Sequence, residues 1–441
     1  MLSKNNLKHI LILAVGFLWY SLAYLAQEQE LLKIDNLQFV NIIAILYGSL
    51  SMGAGILIFS ILYKKDSKHL KKYYFISTIL AVLSLIIFFA IKNKISMSIN
   101  LCLTAMFGTS GFGIGYHFSM LATNVEKQYR GRVFAIGYGI GTIVTYLITL
   151  LPEKIYSSYI SLTIIIPLII INLILIWKNK QLENIEEEKY SLKFKKYFII
   201  ISVVILAMSL LSAISTDVIA LKTIDMKGGF ATTRVSYCLG LILAGFLADK
   251  KKEIFEILTI ASFIFCLFSL FLLEKNISPE IIGYSSYFFV GFFVLFRTLT
   301  FVNLIDKKRS IVFTSAYGLM YSRIMEGLFV LGEKILLDNF LILTLVEAIM
   351  LAIVLCLYML IYKKDKNKDE TDKIKEIIFK YNLSPQEEKV LRLLVQDLIN
   401  KEIADQLSIS VNTVRNHVAN IYKKTGMKKK ELKEIYYLRT E

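Results

Sequence analysis

Apolar residues fill most of the chain in long runs separated by short charged segments, and each run approaches the length of about twenty residues that crosses a hydrocarbon core as a helix. The runs fall at 9–26, 39–63, 73–91, 97–121, 133–151, 159–177, 197–221, 230–248, 254–273, 281–305, 311–331 and 337–362, which predicts about twelve transmembrane helices. Past Tyr362 the pattern changes. A charged stretch, KKDKNKDETD, leads into KIKEIIFKYN, where Ile374, Ile377 and Ile378 form a short amphipathic face able to dock on either the membrane half or the following domain. From Leu383 to Glu441 the apolar positions are sparse and periodic, as in a small soluble helical domain.

That tail can be parsed helix by helix. Ser384 as N-cap, Pro385 at the first helical position and Glu387 closing a capping box mark a first helix, which carries Val390, Leu391, Leu394 and Val395 on one face. A second fits Asn400 to Leu407, with Ile403, Ala404 and Leu407 inward and Lys401, Glu402 and Asp405 outward. Ser410 caps a third helix from Val411 to Thr425, with Val414, Val418 and Ile421 on the core side, and Gly426 supplies a left-handed C-cap. A fourth, from Lys428 to Arg439, presents Leu432, Ile435 and Tyr436 as a dimer face. The outer face of the third helix carries Thr413, Arg415, Asn416, His417, Asn420, Lys423 and Lys424. Arg and Asn can pair with base edges in the major groove, while Thr and Lys can hold phosphates, so the expected partner is double-stranded DNA.

The segment resembles the LuxR/NarL-type helix-turn-helix, with Leu383, Glu387, Val390, Leu391, Leu393, Asn400, Lys401, Glu402, Ile403, Ala404, Leu407, Ser410, Thr413, Val414, His417, Ile421 and Lys424 in register. Asp397, Ile399 and Thr425 depart from the pattern, where the family has Gly, Ser and Leu. The resemblance implies that Arg415, Asn416 and Ala419 face bases and that Lys401, Thr413 and His417 lie near phosphates. It covers only the tail.

Composition agrees with the pattern. The 441 residues are 56% hydrophobic with 4 prolines, outside the range of an ordinary soluble protein. The net charge of +16 is largely topological. Lys64 to Lys72, Arg130 and Arg132, Lys178 to Lys196, Lys250 to Lys252 and Lys307 to Arg309 all fall in even-numbered loops, which makes those loops cytoplasmic and puts both termini inside a bacterial cell membrane. The basic cluster of Lys423, Lys424, Lys428, Lys429 and Lys430 is the part that suits DNA, although a solvated helix face has the same composition. Lys4 and Lys8 before the first run imitate a secretory signal, but no small-residue cleavage site follows.

The loop at 178–196 divides the membrane part into halves, 9–177 and 197–362. This layout, with GFLADKKK at 245–252 and YRGRVFAIGYGIGT at 129–142, resembles major facilitator transporters, whose halves are repeats. The expected fold is therefore all-α: a polytopic bundle over 1–362, a linker at 363–382, and a four-helix DNA-binding domain over 383–441. Gly108, Gly111, Gly113, Gly115, Gly137, Gly139 and Gly141 permit close helix packing.

Ionisable residues inside apolar spans are costly unless paired or facing water. His117, Asp217, Arg234, Arg297, Arg323, Glu326 and Glu347 are such residues. They either line a small-molecule cavity, centred on Arg297, Arg323, Glu326 and Glu347, or form structural ion pairs. Cys102, Cys238, Cys266 and Cys356 are scattered singly in apolar spans, no phosphate-cradling glycine loop is present, and no receiver module precedes the tail, so neither cofactor nor catalysis is implied. The leading expectation is a one-component transcription regulator whose membrane half senses a small molecule. A transporter with a regulatory DNA-binding tail, and a transporter whose tail binds protein, remain open.

Overall fold

A computed structural model describes residues 3–32, 37–90, 96–150, 158–179, 182, 192–222, 233–274, 278–306, 309–337, 342, 344–346, 348–357, 359, 377–396, 398–429 and 431–432. The chain divides into two compact units, Met1–Leu355 and Cys356–Glu441.

The first unit is a bundle of long helices, the form that satisfies every backbone polar group within its own segment where lipid offers none. They are α1 (Lys4–Leu32), α2 (Leu37–Asp66), α3 (Leu70–Ala90), α4 (Ser96–Asn124), α5 (Arg130–Thr149), α6 (Ser158–Trp177), α7 (Leu192–Lys222), α8 (Thr233–Lys250), α9 (Lys252–Glu274), α10 (Pro279–Leu304) and α11 (Tyr317–Leu337). A shorter apolar helix, α12, occupies Thr344–Leu357. Five stretches among the described residues are long and apolar enough to cross a membrane: Lys4–Gln27, Leu46–Ala90, Lys127–Ile148, Phe194–Ala213 and Glu280–Leu304. Other helices carry internal charges, as α11 does with Arg323 and Glu326. Outward faces are apolar, with Ile58, Ile61, Leu80, Leu83, Ile87, Ile171 and Ile174 exposed where lipid would cover them.

Several helix pairs approach so closely that only glycine fits, among them α10 and α11, where a Cβ at Gly318 would overlap the Arg297 carbonyl. A Cβ at Gly55 would overlap the Gly108 carbonyl, and one at Gly111 would overlap that of Met52, so α2 and α4 touch backbone to backbone. A Cβ at Gly240 would overlap the Phe288 carbonyl, and one at Gly291 would lie 2.5 Å from the Leu241 nitrogen, which joins α8 and α10 in the same way. The second and fourth helices of each half are thus packed alike, as expected of repeats. The halves meet where α5 packs on α8 and α2 on α11.

One boundary differs from the hydrophobic pattern. The eleventh span, expected from Ile311, begins as a 3-10 turn over Arg309–Thr314, and α11 starts only at Tyr317. Side chains from neighbouring helices satisfy that turn: Ser60 donates to the Phe313 carbonyl at 2.9 Å, Ser119 to that of Val312 at 3.2 Å, and the Lys64 ammonium lies 4.0 Å from the Phe313 ring centroid. Leu337, expected to open the twelfth span, lies within α11.

The second unit contains α13 (Pro385–Leu394), α14 (Asn400–Leu407) and α15 (Val411–Thr425). Its core is Ile377, Leu383, Val390, Leu391, Leu394, Val395, Ile403, Ala404, Val414, Ile421 and Leu432, flanked by Ile378, Tyr381, Leu407 and Val418. Ile377 belongs to this core, so the folded domain begins within the expected linker, and the amphipathic face docks on the domain. Ile374 lies outside the described residues. Cys102 and Cys238 are buried as expected of small apolar residues, whereas Cys356 is exposed.

Candidate functional site

The outer face of α15 is held in place from its two ends. At the N-terminus Ser410 Oγ accepts the Thr413 amide at 3.1 Å and lies 2.8 Å from the Thr413 hydroxyl. At the other end Gly426, at φ 69°, returns its amide to the Tyr422 carbonyl at 2.9 Å. Val414 and Ile421 are fully buried. With those contacts fixed, Arg415, Asn416, Asn420 and Lys423 are exposed together on the opposite side, and His417 is half-buried. Lys401 is exposed on α14, the helix that packs against α15.

Three expected residues take other parts. Lys424, expected to serve DNA, is bound to the nearly buried Glu387 at 2.6 Å and reaches the Asn382 carbonyl at 3.4 Å, which commits its charge within the domain. Leu432, expected on a dimer face, is wholly buried in the domain's own core and cannot offer that surface. Ser410, expected both to cap the third helix and to contact DNA, makes the cap, and its hydroxyl is engaged with Thr413. Ile435 and Tyr436 lie outside the described residues.

The capping box of α13 is complete: Glu387 accepts the Ser384 amide at 2.7 Å and donates its own amide to Ser384 Oγ at 3.3 Å. At α14 only half a box is possible, because Ile399 has no polar side chain. Glu402 accepts the Ile399 amide at 2.8 Å, and Ile399 is left 60% exposed.

In the membrane unit the intramembrane charges separate into groups. Arg297 is buried on α10, hydrogen-bonded to Ser322 of α11, with the Phe293 ring centroid 5.4 Å away. Ser322 donates onward to Ser209 of α7 at 3.2 Å. Arg323 pairs with Glu326 at 2.6 Å, one turn along α11, and Ser49 of α2 donates to the same carboxylate at 3.2 Å. Arg297 and Arg323 lie within electrostatic reach of each other, of Glu326, and of Tyr138 on α5 and Tyr237 on α8. Those two tyrosine rings meet edge to face at 6.0 Å across the halves.

His117 stands apart, fully buried beside the rings of Tyr20 and Tyr74. Arg234 is exposed in the first turn of α8 and so is not a buried intramembrane charge. The Asp217 side chain and Glu347 lie outside the described residues.

A further polar cluster was absent from the sequence expectations. Asp249, ending α8, accepts the Gly131 amide at 2.8 Å, the Arg132 amide at 2.9 Å and Arg132 Nε at 2.8 Å. Arg130 donates to Asp306, beyond α10, at 3.0 Å and to the Ala122 and Val125 carbonyls. Both contacts join the halves. The glycine-to-aspartate motif at 245–249 was a visible cue, while Asp306 carried none.

Comparison with known proteins matches residues 381–435 to the family described as bacterial regulatory proteins, luxR family. The spore germination protein GerE of Bacillus subtilis (strain 168) is 45% identical over 67 residues, 15% of this chain and 90% of that protein. The response regulator Rre1 of Synechocystis sp. is 47% identical over 47 residues, 11% of this chain and 20% of that protein. The probable transcriptional regulator ycf29 of Cyanophora paradoxa is 40% identical over 60 residues, 14% of this chain and 29% of that protein. Among solved structures, the major facilitator superfamily transporter FucP in its outward conformation matches with a TM-score of 0.59 and 14% identity, over 80% of this chain and 98% of that one. A variant of the E. coli fucose:proton symporter FucP gives 0.57 and 13%, over 81% and 99%. At such identity the likeness is one of fold.

Proposed function

Because the chain belongs, through its C-terminal domain, to the luxR family of bacterial regulatory proteins, we propose that it is a membrane-bound one-component transcription regulator whose major-facilitator-like unit senses a small molecule. The observation that carries this reading is α15 itself. Arg415, Asn416, Asn420 and Lys423 share one exposed face of a helix whose opposite face is fixed in a core. That arrangement presents guanidinium and carboxamide groups to base edges and an ammonium group to phosphates. Lys401 at the start of α14 and Thr413 in the first turn of α15 add phosphate contacts. The basic loops between spans support a multi-pass protein with both termini in the cytoplasm, where DNA is.

Control is direct in this proposal, without phosphorylation. Ligand occupancy of the membrane unit biases how two DNA-binding domains pair, and pairing sets affinity for a two-part operator.

The test uses full-length protein in lipid nanodiscs with DNA enriched from a random pool over successive rounds. A single preferred sequence should emerge. Arg415→Ala should weaken binding to it by about 1–3 kcal/mol and relax its specificity, while Lys423→Ala should weaken all sequences alike and flatten the salt dependence. If no sequence is enriched, or Arg415→Ala leaves the preference intact, the reading fails.

A further inference from the structure

Among the described residues, Arg297 has no carboxylate of its own in direct contact. Its side chain is 7% exposed on α10, it bonds only a neutral hydroxyl, and its Nε has no partner. The one carboxylate in electrostatic reach among the described residues, Glu326, is already held by Arg323 and Ser49. Arg323 also has an occluded Nε without a partner. The two guanidiniums repel one another, and a single carboxylate answers both. In low dielectric two guanidiniums sharing one carboxylate among the described residues is an expensive arrangement.

From these contacts we infer that Arg297 and Arg323 form a binding site for a small oxyanion, a carboxylate or a phosphate- or sulfate-type monoester. The inference rests on the membrane unit being a sensor and names the chemical class it senses. Planar guanidiniums with unused donors suit oxygen pairs of this geometry. Tyr138 and Tyr237, within electrostatic reach of Arg297, place two aromatic rings near the site. The groups come from α2, α5, α8, α10 and α11, which belong to both halves. An anion seated there neutralises the excess charge and ties the halves together, so occupancy changes the stability of one arrangement of the bundle.

Thermal unfolding of the full-length protein in nanodiscs tests this. Benzoate, methyl phosphate and methyl sulfate serve as probes, with benzamide as the neutral control. At least one anion should raise the wild-type midpoint while benzamide does not, and the responding anion names the oxyanion type. Arg297→Gln, which keeps a donor for Ser322, should abolish the shift and melt no lower than wild type without anion. Arg297→Lys should keep part of the shift. The inference is overturned if no anion stabilises wild type, if benzamide does so equally, if the shift survives in Arg297→Gln, or if that variant melts lower without anion, as a purely structural residue would. Sequence-specific DNA binding by the same preparation separates the outcomes: anion failure with DNA binding retained removes only this inference.

Discussion

Lys424 Nζ lies 2.6 Å from Glu387 Oε2, tying the C-terminal end of α15 to the capping box of α13. The contact spans the core between α13 and α15. Burial works to raise the Glu387 pKa, but the Lys424 hydrogen bond and the Ser384 amide outweigh it and hold the carboxyl below its ordinary value. A carboxylate with a lowered folded pKa stabilises above its unfolded value and loses that contribution as pH falls through the folded one. Domain stability should therefore decline below about pH 4.5.

Glu387→Gln should remove this acid-sensitive component and destabilise the domain by about 1–3 kcal/mol, since Lys424 is left without its anion. Amide hydrogen exchange across α13 and α15 in the full-length protein measures it. Unchanged protection would assign Lys424 back to the solvent-facing set.

Ile399 stands where an N-cap residue belongs and leaves α14 with half a box. Ile399→Ser should stabilise the domain by about 0.5–2 kcal/mol by capping the Glu402 end and removing an exposed apolar side chain. Slower exchange in α14 is the expected readout.

Asp249 holds two backbone amides and a guanidinium at the start of α5, in the other half of the bundle. Asp249→Ala leaves all three without an acceptor and should cost about 3–5 kcal/mol, seen as a lower melting temperature of detergent-solubilised protein. An unchanged melting temperature would mean that the junction is held by apolar packing of α5 on α8.

Gly240 on α8 and Gly139 on α5 predict a contrast. Gly240→Ala should block close packing of α8 on α10 and sharply reduce the yield of monodisperse protein. Gly139→Ala, whose Cβ would meet Ile242 at an ordinary 3.6 Å, should be tolerated. Equal yields would show that α8 and α10 can separate without loss.

Local signals were the readable ones. Ser384, Pro385 and Glu387, and likewise Ser410 and Gly426, act within a few residues, so their spacing alone announces the helix ends the structure shows. Contacts between distant segments leave no such mark. Arg130 reads as a loop charge until Asp306, far along the chain, is brought beside it. Leu432 has the same periodicity whether it faces a partner or its own core, and only the folded domain decides for the core. The 3-10 turn at Arg309–Thr314 is apolar enough to read as membrane helix because the groups that satisfy it come from α2 and α4. In the bundle, the charge of Arg297 was visible, but that Glu326 is held by Arg323 and Ser49 required the surroundings.

Whether this chain reads DNA through α15 from the membrane is decided in cells by crosslinking DNA to the tagged full-length protein and sequencing what is recovered. Wild type should enrich a discrete set of promoter fragments. The double variant Arg415→Ala, Asn416→Ala should remain in the membrane at equal abundance and lose that enrichment. Equal enrichment by both proteins, or none above background with wild type, would contradict the account.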